Sequence, residues 1–457
     1  MDVNVDDICT VRRDADVVQQ TGGSPIEPDA DPCRRAWFAC PNCDHGVGCP
    51  ECQSSRNCGT HWQYLLKNRG TQVSLQCPGC CYVWTVDTAE RDGTADQRTD
   101  NGDAIVAKLW LGDCPRDVVI SPGGDSVYVL TADSVKVIKS RYLSVASIPV
   151  GPEPKQLMMS PDGSRLYVTG YGHSLSIIDP IAMTAKNVVV QPSTAAVVSP
   201  DGEHIYLAHA EGLDKGNSAI RVIRADGAFV ALIAVDRYTT AMALSRDGRW
   251  LYLAAAGRDA DDCGGTIAVV DTATYETADV IAVDAAPEAL ALDAEGLLYV
   301  VHYNVNSMSL VDPATRCGIT VALDDAPMDI VVHPGSQFIY TANLHSVSAI
   351  NTSTAAIKSL LIGELPRRLC VSVDGRRLYA VDFAHGTIWA LDTSDNSVVG
   401  TVDVGAHPAA SALSPGGDLL YVTDSRDGTL TVVSTAAIGR GARCPHGFPL
   451  APNSSGR

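Results

Sequence analysis

Aromatic residues are scarce, at 6% of 457 residues with five phenylalanines, while Gly 39 and Pro 25 lean towards a turn-rich architecture. Long apolar runs are missing. None approaches the roughly 18 residues that a membrane helix requires, so a helical membrane span is not expected. The amino-terminal stretch MDVNVDDICTVRRDADVV has no apolar core region, which argues against a secretory signal. Positive charge is also short. With 34 basic against 53 acidic side chains the net charge is −19, which argues against a surface built wholly for nucleic acid or anionic membranes. Room is left only for a local basic patch. Catalytic signatures are absent too: no H-E-x-x-H, G-x-S-x-G, Walker loop or dinucleotide fingerprint occurs.

Cysteine is rare over most of the chain, because ten of the fifteen fall within residues 1–81. A disulfide framework would spread its cysteines and follow a signal peptide, so thiolate ligands in a reducing cytoplasm are the expectation. Composition divides the chain further. Residues 1–32 are polar and acidic and read as disordered, 33–86 hold the cysteine cluster, and 87–102 (DTAERDGTADQRTDNG) read as a linker. Residues 103–438 carry a repeat, and 439–457 read as a disordered tail.

The repeat appears when segments are aligned: SPGGDSVYVL at 121, SPDGSRLYVT at 160, SPDGEHIYLA at 199 and SRDGRWLYLA at 245. DAEGLLYVVH at 293, HPGSQFIYTA at 333, SVDGRRLYAV at 372 and SPGGDLLYVT at 414 complete the series. The shared tyrosines (128, 167, 206, 252, 299, 340, 379 and 421) recur about every 42 residues, the period of one propeller blade. Each unit offers four short strands between turns, too short for helices of ten or more residues. The last unit lacks a fourth strand, and an orphan strand, AIVAKLWLG at 104–112, precedes the first. The expected fold is therefore an all-β propeller of eight four-stranded blades, closed by the amino-terminal strand so that no edge stays open. Seven blades are the alternative, if the divergent unit around Tyr299 is not a blade.

SPDGSRLYVTG, SPGGDLLYVTD, IPVGPEP and the strand ends VVDTAT and ALDTSD make residues 103–435 resemble the YVTN-repeat, YncE-like β-propellers. The resemblance implies a binding or surface propeller, usually of seven blades, without an agreed reaction. Eight tyrosines depart from that number.

In the cysteine cluster eight ligands form four pairs, each with two intervening residues: Cys40 and Cys43, Cys49 and Cys52, Cys58 and His61, Cys77 and Cys80. A C-x-x-C turn aims two sulfurs at one ion at about 2.3 Å, and two such pairs complete a tetrahedron. Two structural zinc ions are therefore expected. Sequential, crossed and nested pairings can all be drawn. Nested pairing is favoured, since WFACPNC and VSLQCPGCCYVWTV resemble the halves of a zinc ribbon, with the crossed arrangement of RING-like modules left open. Cys81 stands where glycine is common, and Cys81 and His45 are spare ligand candidates. Five basic side chains face two acidic ones in residues 33–86, but seven thiolates around two Zn²⁺ cancel that excess, so nucleic-acid contact is disfavoured.

Aspartates that recur in unit after unit, Asp162, Asp201, Asp247 and Asp374 in PDG-type turns and Asp179, Asp271, Asp312 and Asp392 at strand ends, read as turn formers. Departures from the repeat are more informative. The loops 209–218 and 255–265 are long, and the face that carries them collects the binding candidates His173, His209, Asp214, Arg258, Asp259, Asp261, Asp262, His302, His345 and His385. Cys114, Cys317 and Cys370 read as small apolar residues. The resulting expectation is a non-enzymatic binding or scaffold protein whose propeller face and zinc module meet a protein partner, with a small molecule at the channel as a further ligand. A lactonase-type hydrolase at the channel mouth and nucleic-acid contact through the ribbon are the alternatives.

Overall fold

A computed structural model describes residues 104–439, apart from 113, 141–142, 211–217, 236 and 258–263. It also describes the backbone of four strands nearer the amino terminus. Those strands, Arg35–Ala36, Gln63–Arg69, Gln72–Gln76 and Val83–Asp87, pair antiparallel in sequence order. The expected metal knuckles between them lie outside the described residues, and a separate zinc-ribbon domain is not supported.

Residues 104–439 form eight four-stranded antiparallel sheets. Blade 1 runs Asp117–Ile120, Ser126–Leu130, Ser134–Lys139 and Ser144–Pro149. Blades 2 to 7 follow at 154–189, 193–235, 239–283, 287–322, 327–360 and 366–403. The unit around Tyr299 is a full blade, so the count is eight and not seven. Blade 8 takes three strands from 408–434, and its fourth is Ile105–Trp110, paired with Thr429–Ser434 through Leu430 opposite Leu109. Each first strand touches the first strand of the next blade, and blade 8 touches blade 1, so the innermost strands close a ring.

Burial explains the apolar runs. Every second strand is covered on both faces by neighbouring blades, so its residues need not alternate with polar ones. On Leu419–Asp424, Leu420 and Val422 pack towards blade 7, while Tyr421 packs towards blade 1. The eight repeat tyrosines are all buried in such layers. The core is thus a set of eight sandwiches between blades.

The turn from first to second strand repeats as strictly as its sequence. Asp162 Oδ1 accepts the Ser160 hydroxyl (2.6 Å) and the Ser164 N–H (3.0 Å), which fixes the PDG turn. Gly163 sits at φ +74°, and a methyl group there would lie 2.7 Å from Pro122 of the preceding blade. The same proline-on-glycine contact joins Pro161 to Gly202, Pro200 to Gly248 and Pro415 to Gly124. The turns of blades 8, 1, 2, 3 and 4 are therefore packed in series on one face of the ring. The series does not continue through blades 5 to 8: Gly296 and Gly417 have open space above them, His333 rather than a proline meets Gly375, and beside Val373, between blades 7 and 8, a cleft of about 500 Å³ remains.

Candidate functional site: the channel mouth on the loop face

Hairpins between second and third strands, and the connections between blades, emerge on the face opposite those turns. One repeat position anchors them. The last residue of the second strand pairs with the first of the inner strand, as in Pro287↔His302, Pro327↔Asn343, Pro366↔Asp382 and Pro408↔Asp424. These side chains are buried, and the two aspartates hold the loops by their backbone. Asp382 accepts N–H groups of Glu364 (3.1 Å), Leu365 (3.0 Å) and Ala384 (3.1 Å). Asp424 accepts those of His407, Arg426 and Asp427 at 2.7–3.0 Å. A buried carboxylate fully met by N–H donors is a rigid support.

His209 and His302 occupy the same anchoring position, and both are buried. His302 Nε2 lies 2.9 Å from Ser309 Oγ, and desolvation holds its imidazole below the ordinary histidine range. The exposed histidines are His173, His345 and His385. His345 Nδ1 lies 3.1 Å from Asp325, and His385 lies between Asp382 (2.9 Å) and Glu364 (3.4 Å). Asp214, Arg258, Asp259, Asp261 and Asp262 lie outside the described residues.

The inner strands form the channel wall, and their free edge presents unpaired backbone groups that need partners. Side chains supply them from blade to blade. Arg116 donates to Pro154 O (2.7 Å), Lys155 to Thr194 O (3.0 Å), Thr194 to Thr239 O (3.0 Å) and Thr240 to Pro287 O (2.7 Å). Asp117 and Asp329 do the converse, accepting the N–H of Leu157 (2.9 Å) and Leu369 (3.1 Å). Burial in this wall raises both carboxyls above the usual range, against those bonds and the charge of Arg368. Cys370, on the same strand as Arg368, is pushed up to about 11 by burial, so its thiol is inert.

Sequence reasoning overlooked this charged wall. The signal was in the aligned units: where Asp117, Asp329 and Arg368 stand, four other blades have Ala195, Ala241, Ala289 and Ala410. Packing does not require charge there. The rim above is aromatic and cationic. Tyr171, Tyr238 and Tyr303 are exposed by 51%, 47% and 38% in a chain poor in aromatics. Lys155 lies 5.3 Å over Tyr171, and Arg367 lies 4.8 Å over Phe383, which stacks on His407 at 4.9 Å.

The expected zinc ions are corrected. Among the described residues no group of three or more His, Cys, Asp or Glu side chains could hold a metal ion. The physical reason within the propeller is dispersal: the repeat spreads its acids one to a turn, where backbone N–H groups occupy them. Cys40, Cys43, Cys49, Cys52, Cys58, His61, Cys77 and Cys80 lie outside the described residues, and zinc is carried no further.

By its fold the chain is an eight-bladed β-propeller. It is similar in fold to a structure of Kuenenia stuttgartiensis hydrazine synthase, with a TM-score of 0.50 and 19% identity over 76% of this chain and 99% of that one. At that identity the likeness concerns the fold alone. No family model matches the chain, and no curated protein matches it. Among the described residues no helix is long and apolar enough to cross a membrane.

Proposed function

We propose that this propeller is a non-enzymatic binding protein whose loop face, centred on the channel mouth, is the recognition surface. The observation that carries the reading is the contrast between the two faces. On the turn face, four of the eight blade junctions are packed by proline-on-glycine contacts. On the loop face, backbone is pinned by buried Asp382 and Asp424 while Tyr171, Tyr238, Tyr303 and Arg367 stay open to solvent. Rigid support beneath exposed aromatic and arginine side chains is the arrangement that recognition surfaces use. The YVTN-repeat likeness of SPDGSRLYVTG and its companions supports the same reading, as a resemblance.

The test is quantitative capture with the full chain as bait, comparing wild type, Tyr171→Ala/Tyr238→Ala/Tyr303→Ala, and a turn-face control, Arg249→Ala. A stoichiometric partner lost by the loop-face variant and kept by the control is expected. A partner kept by the loop-face variant, or none under any growth condition, would overturn the reading.

One observation favours hydrolysis as a second reading. Asp382 orients His385 through Nδ1, and Nε2, on the exposed side, lies 3.4 Å from Glu364. A base of this kind needs a nucleophile or a positioned water, and no Ser, Thr or Cys side chain is bonded to Nε2 among the described residues. Ester and lactone turnover that disappears in His385→Ala would establish it. Turnover unchanged by that variant would remove it.

A further inference from the structure

We propose that the cleft between blades 7 and 8 is the seat of a segment of the same chain, Phe448, Pro449 and Leu450. The cleft opens among the turns, on the face opposite the loops, so its occupant is independent of what the loop face binds. Val373 of blade 7 stands 68% exposed in it, and Val399, Pro415 and Ile438 complete its apolar lining. At about 500 Å³ it falls within the range of about 300–1,000 Å³ over which pockets take ligands.

The polar side chains of the cleft are already engaged. Ser372 Oγ donates to Asp374 (2.6 Å), and Asp374 is paired with Arg376 (3.9 Å). Arg377 is paired with Asp392, and Thr435 Oγ1 donates to Gly417 O (2.8 Å). A polar ligand would find few free partners there, whereas the two valines, Pro415 and Ile438 remain for an apolar one. Covering Val373 would also take an exposed branched side chain out of water.

The described course of the chain ends at this place. Gly439 is its last residue, a methyl group on it would lie 2.7 Å from Val399 O, and Ile438 before it lines the cleft. The sequence continues for 18 residues, outside the described ones, as RGARCPHGFPLAPNSSGR. Phe448 is one of five phenylalanines in the whole chain, and it stands with Leu450 in an otherwise polar or small-residue stretch. It lies nine residues past Gly439, so the tether spans up to about 30 Å, enough for a return to a cleft that begins at Ile438. Tethering holds the segment near the cleft at an effective concentration of about millimolar, so modest apolar contact suffices. Pro449 and Pro452 restrict it beforehand, which lowers the entropy lost on docking. The 18 residues carry Arg440, Arg443 and Arg457 and no acid, on a chain of net charge −19, so charge draws them to the ring.

The experiment puts the photo-crosslinker p-benzoylphenylalanine in place of Phe448 in the full chain, irradiates the dilute protein and maps the adducts by mass spectrometry. Adducts within one chain to residues 372–379, 399, 415–417 or 435–438 are expected. Val373→Asp, which sets a charge against the apolar segment, should lower their yield by about tenfold, and Arg249→Ala, at a turn of another blade, should leave it unchanged. Thermal melts confirm that each variant is folded. Adducts mapped elsewhere on the ring, or none, overturn the proposal. Adducts that join two chains overturn it as well, since they make a second copy the occupant. So does a yield that Val373→Asp leaves unchanged.

Discussion

Asp382 is wholly buried, yet three backbone N–H groups and the His385 ring nitrogen converge on its two oxygens. Its removal would leave the connection into blade 7 and the following hairpin with unmet donors. Asp382→Ala should therefore cost about 3 kcal/mol, read as a clear fall in the thermal midpoint, while Asp382→Asn, which keeps one acceptor oxygen, should cost less. An Asp382→Ala protein that melts with the wild type would show the loops are held by other means. This position explains what a single sequence conceals. Asp162 and Asp179 were legible as turn formers because they repeat, and each does bond its own turn, Asp179 through Ile181 and Ala182. This position varies among His302, Asn343, Asp382 and Asp424, so their common place emerges only from pairing with the inner strand.

Strands and turns were the most legible elements, for a physical reason. A PDG-type turn followed by a short apolar run states both the bend and the two-sided burial of the next strand. The unpaired strand at 104–112 stated the closure, since one blade lacked a partner for its edge. The inner strands were less legible. They are half buried against a channel, and a lone Asp117 or Asp329 in such a strand reads like any exposed acid. A test belongs to one of the turns that break the series. The Val373 N–H donates no hydrogen bond among those of the turns, and the side chain is 68% exposed beside open space at Gly417. Val373→Pro should restore the contact made by Pro122, Pro161 and Pro200, narrow the cleft, and stabilise the protein by about 0.4–1 kcal/mol. A lowered thermal midpoint would mean that residue 373 does not hold the φ that proline requires.

Across the whole ring, pH acts on three sets of groups with different signs. The turn aspartates, including Asp162 and Asp392 at about 2, are held below the usual carboxylate range first by serine hydroxyl bonds. Asp125, Asp201, Asp247 and Asp374 shift the same way for the same reason. A folded-state value below the unfolded one gives stability that is present above the unfolded value and lost as pH falls through the folded one. Because the turns repeat, these losses coincide, and stability should fall steeply from about pH 4 downward. His302 is depressed by burial, so the unfolded chain binds its proton first, and stability already declines as pH falls below about 6.5. Asp117 and Asp329 oppose both trends. Burial raises them, so the folded state binds their protons first, and their contribution is present at low pH and lost as pH rises through the raised value. The channel acids therefore cost stability at neutral pH, as groups placed for function commonly do. Asp117→Asn, with its amide oxygen still facing the Leu157 N–H, should melt higher than the wild type at pH 7. The gap should narrow as pH falls through the raised value and close by about pH 3, below the unfolded value, where Asp117 is protonated in both states. Thermal midpoints of the two proteins across that range provide the measurement. A gap independent of pH, or a variant that melts lower at pH 7, would show that Asp117 stabilises the ring as a charged strut between blades 1 and 2.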